Sequence, residues 1–214
     1  MKEIYLDNSA TTKVYTEAAK AAFEVMTEIY GNPSSLHMKG VEAEKVLEEA
    51  RKEVANALGG NPDGLYFTSG GTEANNTAIF GAVMARKKRS NRIITTTIEH
   101  PSVLKVFEKL ESEGFDVVYL NPQENGKISI DELNAAVNEN TILVSIMLVN
   151  NEVGSIQPIA KAGNLIKKLS PNALFHTDAV QAVGQIPISV KTLPIDLLSA
   201  SAHKFHGPKG VGFL

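Results

Sequence analysis

Thr141-Ile-Leu-Val-Ser-Ile-Met147 is the stretch on which the fold turns. A nearly continuous apolar run of this length reads as a strand buried on both faces, and such strands belong to parallel sheets with helices packed on either side. The run leads into Asn150-Asn151-Glu152, so polar side chains gather where the strand ends. In open α/β sheets that C-terminal edge is where ligands bind.

The pattern repeats in both directions. Downstream, Ile159 to Leu169 has helical periodicity, and two short apolar strands follow, Leu174 to His176 and Ile195 to Ala200, leading to Asp178 and Lys204. Val211 to Leu214 is again strand-like. Upstream, Arg92 to Thr97 reads as a strand broken by Ile98-Glu-His-Pro101, followed by a helix over Ser102 to Glu113 and a strand over Asp116 to Leu120. Ser129-Ile-Asp-Glu132 has the form of a capping box and opens a helix to about Val137. Nearer the start, amphipathic helices are predicted over Val14 to Tyr30 and Val41 to Leu58, then a strand at Leu65 to Phe67 and a helix over Thr77 to Met84. Strands alternating with helices require a mainly parallel sheet with right-handed crossovers.

Composition narrows the class. With 43% hydrophobic and 21% charged residues over 214 positions, the chain fits one soluble α/β domain, and no repeat or linker divides it. The net charge is -3 and the most basic cluster is Arg86-Lys-Lys-Arg89, which suits the C-terminal end of a helix, so nucleic acid is not an expected partner. No apolar stretch reaches the roughly 18 residues of a membrane span, and Met1-Lys-Glu-Ile-Tyr5 lacks a signal-peptide core, which makes the cytoplasm the expected address. The chain has no cysteine, excluding a disulfide scaffold and a thiolate metal site, and no metal is expected.

Three strand ends carry chemistry. Ser199-Ala-Ser-Ala-His-Lys204 sets a lysine among small residues ahead of the glycine-rich Gly207-Pro-Lys-Gly210, a setting suited to a Schiff base with a flat aldehyde, while Ser201 and His203 add donors for a phosphate. Phe67-Thr-Ser-Gly-Gly-Thr-Glu-Ala-Asn-Asn76 is a strand, a Gly-rich turn and a helix start, where free backbone N–H groups can receive a phosphate and Gly70 and Gly71 let the chain approach it closely. Phe175-His-Thr-Asp-Ala-Val-Gln181 ends a strand in Asp178, placed to pair with a pyridinium nitrogen. Each alone also reads as an ordinary loop. His100 is either a turn histidine or a group that stacks on a ring and relays a proton, and His37 either caps a helix or borders a site. The two asparagines at 150 and 151 either tie a turn or touch a ligand.

Together these motifs resemble the pyridoxal-phosphate-dependent cysteine desulfurases of iron-sulfur cluster assembly. The resemblance runs in order through Tyr5-Leu-Asp-Asn-Ser-Ala-Thr-Thr12, Gly31-Asn-Pro-Ser-Ser35, Thr68 to Asn76, Glu99-His100, Val149-Asn-Asn-Glu-Val-Gly154, His176 to Gln181, Ser201 to Lys204 and Gly207 to Gly210. It implies the large domain of a fold type I pyridoxal-phosphate enzyme over residues 1–214, with a mixed, mostly parallel sheet of about seven strands between helices. It further implies Lys204 and His100 as catalytic residues. Cofactor binding falls to Gly71, Thr72, His100, Asn151, Asp178, Gln181, Ser201, His203 and Lys204, with pyridoxal 5'-phosphate as the cofactor. The reaction implied removes sulfur from L-cysteine to give L-alanine and an enzyme persulfide. In the family a homodimer hands that sulfur to an acceptor or cluster scaffold protein. The persulfide cysteine, its loop and the C-terminal small domain are expected to be absent, so that turnover by this chain alone is doubtful. Alternatives are a selenocysteine lyase or aminotransferase of the same fold type, and a non-catalytic binding or assembly module. A plain nucleotide-binding α/β protein lies further off.

Overall fold

The computed structural model describes residues 4–214; residues 1–3, which fall within both the expected domain and the Met1–Tyr5 reading, lie outside the described residues. Seven strands form one sheet: β1 (Phe67–Thr68), β2 (Arg92–Thr96), β3 (Asp116–Leu120), β4 (Thr141–Ser145), β5 (Leu174–Asp178), β6 (Leu197–Ser201) and β7 (Gly212–Phe213). Their order is β1-β7-β6-β5-β4-β2-β3. All pairings from β3 to β6 are parallel, whereas β7 is antiparallel to both β6 and β1. The expected mixed, mostly parallel sheet is therefore the one observed.

Six helices accompany the sheet: α1 (Thr16–Thr27), α2 (Met38–Ala57), α3 (Gly71–Arg86), α4 (Pro101–Ser112), α5 (Ile130–Ala136) and α6 (Ile159–Leu169). The central strands are buried on both faces because alternate residues enter different cores. Ile93 and Leu143 pack with Ile79 and Val83 of α3 and Val103, Phe107 and Leu110 of α4, while Ile94, Val144 and Phe175 pack with Leu133 of α5 and Ile166 of α6. The run at 141–147 is buried along its whole length for this reason. Its strand assignment stops at Ser145, yet Ile146 N–H still donates to the His176 carbonyl (3.1 Å) and Leu148 N–H to that of Asp178 (2.8 Å), so the pairing continues into the loop.

One local reading needs correction. Helix α3 begins at Gly71, not Thr77: the Gly-rich turn is itself the first helical turn, with Ala74 N–H donating to the Gly70 carbonyl at 3.1 Å. Gly70, at φ 155°, holds a conformation open to glycine and strained for other residues, and that kink starts the helix early. Helix α1 is amphipathic in sequence but buries none of its residues, and Phe23 and Met26 are exposed. His37 caps α2, its Nδ1 accepting from Gly40 N–H at 3.3 Å, which decides between the two readings of that residue. The Ser129 cap is as expected, with its hydroxyl accepting from Glu132 N–H at 3.3 Å.

The antiparallel edge depends on close backbone approach. A Cβ on Gly212 would lie 2.6 Å from the Ala200 carbonyl oxygen and 2.7 Å from the Gly70 Cα, both parts of the backbone. Gly212→Ala is expected to destabilise the fold by about 1–3 kcal/mol, read as a lower urea midpoint; an unchanged midpoint would mean that β6 and β7 separate freely.

Strand order also places a ligand site. The chain steps from β2 outward to β3, then returns across β2 to β4 and on through β5 and β6. The loops after β2 and β4 thus diverge and leave a crevice at their C-terminal ends.

Candidate active site

A cavity of about 450 Å³ lies at that edge and brings together every residue singled out for cofactor binding: Gly71, Thr72, His100, Asn151, Asp178, Gln181, Ser201, His203 and Lys204. Strand β5 delivers Asp178, β6 ends at Ser201 and runs into a 3-10 turn, Ala202–Lys204, that carries the lysine, and α4 starts just after His100. The register beneath Asp178 is held by a buried His176, whose Nδ1 lies 2.8 Å from Ser145 Oγ on β4 and whose Nε2 lies 2.9 Å from Ser199 Oγ on β6. Burial holds the His176 pKa down at about 3, so the ring is neutral and cross-links three strands.

Asp178 is buried, its Oδ1 accepting from Val180 N–H (2.9 Å) and its Oδ2 from Asn75 Nδ2 (2.7 Å). Burial raises its pKa against the opposing pull of those two hydrogen bonds and of the His100 and Lys204 charges. Asn75 Nδ2 also donates to Ser102 Oγ at 2.9 Å, and Ser102 Oγ lies 2.8 Å from His100 Nδ1. His100 is the N-cap of α4, its Nδ1 accepting from Ser102 N–H at 3.1 Å.

Lys204 Nζ donates to the Ser9 carbonyl, which also accepts from Gln181 Nε2 at 3.0 Å. Burial lowers the Lys204 pKa, with Asp178 and Asp7 pulling the other way. The strap bearing Ser9 is pinned nearby: Thr12 N–H donates to the His203 carbonyl (2.8 Å), and His206 N–H donates to Thr12 Oγ1 (2.7 Å). His203 Nδ1 lies 3.1 Å from Thr11 Oγ1, and burial, then the charges of Lys204 and Lys209, lower its pKa.

Opposite the lysine, the N–H groups of Gly71 and Thr72 precede the first hydrogen bond of α3 and so have no helical partner. A Cβ at Gly71 would stand 2.7 Å from Val180 Cγ2, so glycine is what lets the helix start sit against the side chain just past the end of β5. Glu73 folds back on the same turn, Oε2 accepting from Ser69 N–H at 2.6 Å, and the Ser69 hydrogen bonds lower its pKa.

A lysine, a buried carboxyl and a helix start with free N–H groups converge here. The aminotransferase class-V family model matches residues 4–214. The chain belongs to the class-V aminotransferase family. It is 49% identical over 213 residues to cysteine desulfurase IscS of Methanosarcina thermophila, covering 100% of this chain and 52% of that protein. Against the putative cysteine desulfurase IscS 1 of Bacillus subtilis it is 48% identical over 214 residues, covering 100% of the chain and 56% of the relative. Among solved structures, a NifS-like protein superposes with a TM-score of 0.97 at 44% identity, covering 99% of this chain and 58% of that one. A structure described as SspA in complex with cysteine gives 0.94 at 38%, covering 99% and 60%. The chain thus spans about half the length of the curated relatives it matches. Class-V aminotransferases and the cysteine desulfurases among them depend on pyridoxal phosphate.

Within this class-V site, several participants carried no assigned role in the sequence reading. Asn75 and Ser102 line the cavity and join Asp178 to His100, but their types are common in any helix start. Asn75 lies one turn after Gly71 in the helix that the Gly-rich stretch opens, the one signal that could have pointed to it. Glu99 is buried beneath His100: Oε1 accepts from Thr96 Oγ1 (2.9 Å) and Met147 N–H (2.8 Å), while Oε2 has no partner. Burial pushes its pKa up to about 8, with the Asp178 charge adding to the rise and the two hydrogen bonds opposing it. The asparagines divide between their two readings. Asn150 ties the turn, Oδ1 accepting from Glu152 and Val153 N–H at 2.9 Å each, whereas Asn151 lines the cavity. No helix among the described residues is long and apolar enough to cross a membrane.

Proposed function

We propose that residues 1–214 form the pyridoxal-phosphate-binding large domain of a cysteine desulfurase, acting on L-cysteine to leave L-alanine and a protein persulfide. The observation that carries this reading is the single cavity shared by Lys204, buried Asp178 and the open helix start at Gly71. The residues fit the cofactor chemically. Asp178 is a buried carboxyl short of countercharge, which a protonated ring nitrogen would supply, and Lys204 is an amine drawn toward its neutral, reactive form.

Lys204 would hold the aldehyde carbon, Asp178 the ring nitrogen, Gln181 the phenolic oxygen and Asn151 the same oxygen or the substrate carboxylate. His100 would lie on the ring face, with Gly71, Thr72, Ser201 and His203 around the phosphate. The bound group supplies an electron sink for negative charge at the substrate α-carbon. Lys204 would be the base placed to take a proton from the substrate α-carbon, since burial lowers its pKa and Ser9 orients its Nζ. Gln181 is oriented by the same carbonyl.

The sulfur-accepting thiol must come from outside this chain, which contains no cysteine. A homodimeric assembly, a sulfur acceptor or scaffold protein and a cytoplasmic address belong to the same proposal, while L-cysteine as the substrate is supported by the relatives' name, cysteine desulfurase, and by a neighbouring structure described as SspA in complex with cysteine. Adding pyridoxal phosphate and then L-cysteine to the chain is expected to give a visible band that shifts with cysteine, without sulfide release. A cofactor band indifferent to cysteine would count against desulfurase chemistry, and sulfide release by the chain alone would overturn the need for an external thiol.

A further inference from the structure

We propose that Asn75 is a positioning residue that couples the two side chains facing the ring, Asp178 and His100, through the hydroxyl of Ser102. The inference rests on the assignment of those two side chains above and adds the residues that set them. Asn75 is 1% exposed and Ser102 9%, so water competes little for their hydrogen bonds.

The donor directions follow from the chemistry of each atom. Asn75 Nδ2 spends its hydrogens on Asp178 Oδ2 at 2.7 Å and Ser102 Oγ at 2.9 Å. Turning the amide over would set its oxygen against a carboxylate oxygen, which only accepts, so the amide orientation is fixed by Asp178. With its oxygen receiving Asn75, the Ser102 hydroxyl has its own proton to give, and His100 Nδ1 is 2.8 Å away. That nitrogen also faces the Ser102 backbone N–H at 3.1 Å, a donor that cannot reverse. Nδ1 therefore carries the lone pair, and the ring proton sits on Nε2. The network reads from one amide in two directions, to the carboxylate and, through serine, to the imidazole.

A shared amide has a consequence that two separate supports would not. Removing it leaves Asp178 Oδ2 and Ser102 Oγ each short of one donor at once, while removing the serine hydroxyl touches only the histidine branch. Aspartate at position 75 would keep the shape, lose both donors and set a carboxyl against Asp178. Asparagine is the small side chain that donates twice and carries no charge.

The test uses the chain with ¹⁵N-labelled histidine and no cofactor, reading ring nitrogens by long-range ¹H–¹⁵N spectra. His100 is expected to show an unprotonated Nδ1 and a protonated Nε2. Ser102→Ala should raise the minor tautomer several-fold, Ser102→Thr should restore the original pattern, and Asn75→Ala should shift Nδ1 in the same direction. The double variant should go no further than Ser102→Ala, because Asn75 reaches the ring through that hydroxyl. His176, held between Ser145 and Ser199, reports in the same spectrum whether each variant is folded. In parallel, Asn75→Ala should weaken pyridoxal phosphate binding about tenfold, the loss expected for one hydrogen bond to a charged group, and Ser102→Ala should weaken it less. A wild-type His100 with its proton on Nδ1 overturns the proposal without any variant, as does an unchanged pattern in both folded variants. If the tautomer results hold and the chain takes up no pyridoxal phosphate, the functional reading fails while the network stands.

Discussion

Lys204→Ala is expected to abolish the visible absorbance that pyridoxal phosphate acquires on binding this chain, leaving the spectrum of unattached cofactor. Among the described residues Lys204 is the one lysine lining the cavity, and its pKa is lowered by burial while Ser9 fixes its Nζ. Lys209 is exposed and belongs to the adjoining groove beside Glu73 and Gly210, outside the cavity that holds Asp178. The phosphate end should survive the substitution, since Gly71 and Thr72 lie at the start of α3, apart from the lysine turn. Binding without colour, followed by equilibrium dialysis, is therefore the expected pair of results. Arginine at 204 should behave like alanine, because a guanidinium does not lose its proton in this range. A visible band that persists in Lys204→Ala would move the attachment to another lysine and sink the assignment.

The strand ends were legible because they combine two signals that do not depend on tertiary detail. An apolar run such as 141–147 announces burial on both faces, and a polar residue just past it, such as Asp178 or Asn151, announces the edge. What escaped depends on geometry. The start of α3 was placed at Thr77 because Gly70 and Gly71 look like a loop, whereas the φ of 155° at Gly70 turns the chain so that the helix begins at once. Helix α1 forms where periodicity places an amphipathic helix, yet Phe23 and Met26 are exposed: periodicity shows that a helix has an apolar face, and only the packing shows what covers it. Ser9 was inside a quoted motif, but its role lies in a backbone carbonyl, which residue type does not encode. Asn75 acts through contacts 27 and 103 positions away, to Ser102 and Asp178, and Glu99 through one 48 positions away, to Met147, and no local spacing records those.

Glu99→Gln is expected to remove a fall in stability that the native chain suffers as pH rises from about 5 to 9. The folded-state pKa of Glu99 is pushed up to about 8 from an ordinary 4.5, chiefly by burial. A carboxyl whose pKa is raised on folding holds a proton in the native state that the unfolded chain has already released, so stability declines as pH climbs between those two values. At about 1.4 kcal/mol for each pH unit crossed, the difference between pH 5 and pH 9 amounts to several kcal/mol. Glutamine keeps the acceptor that Thr96 Oγ1 and Met147 N–H require and carries no titrating proton. His176 and His203 also titrate away from their ordinary ranges, but they are present in both proteins and largely cancel in the comparison. Urea unfolding of the two proteins across that range should give curves that meet near pH 5 and separate above it, with the variant the more stable at pH 9. Parallel curves would mean that Glu99 is already ionised at neutral pH and finds a counterion at Oε2. The separation matters for chemistry as well as for stability. Two ionised carboxyls in one buried site repel, and a protonated Glu99 lets Asp178 hold the negative charge that a ring nitrogen would need.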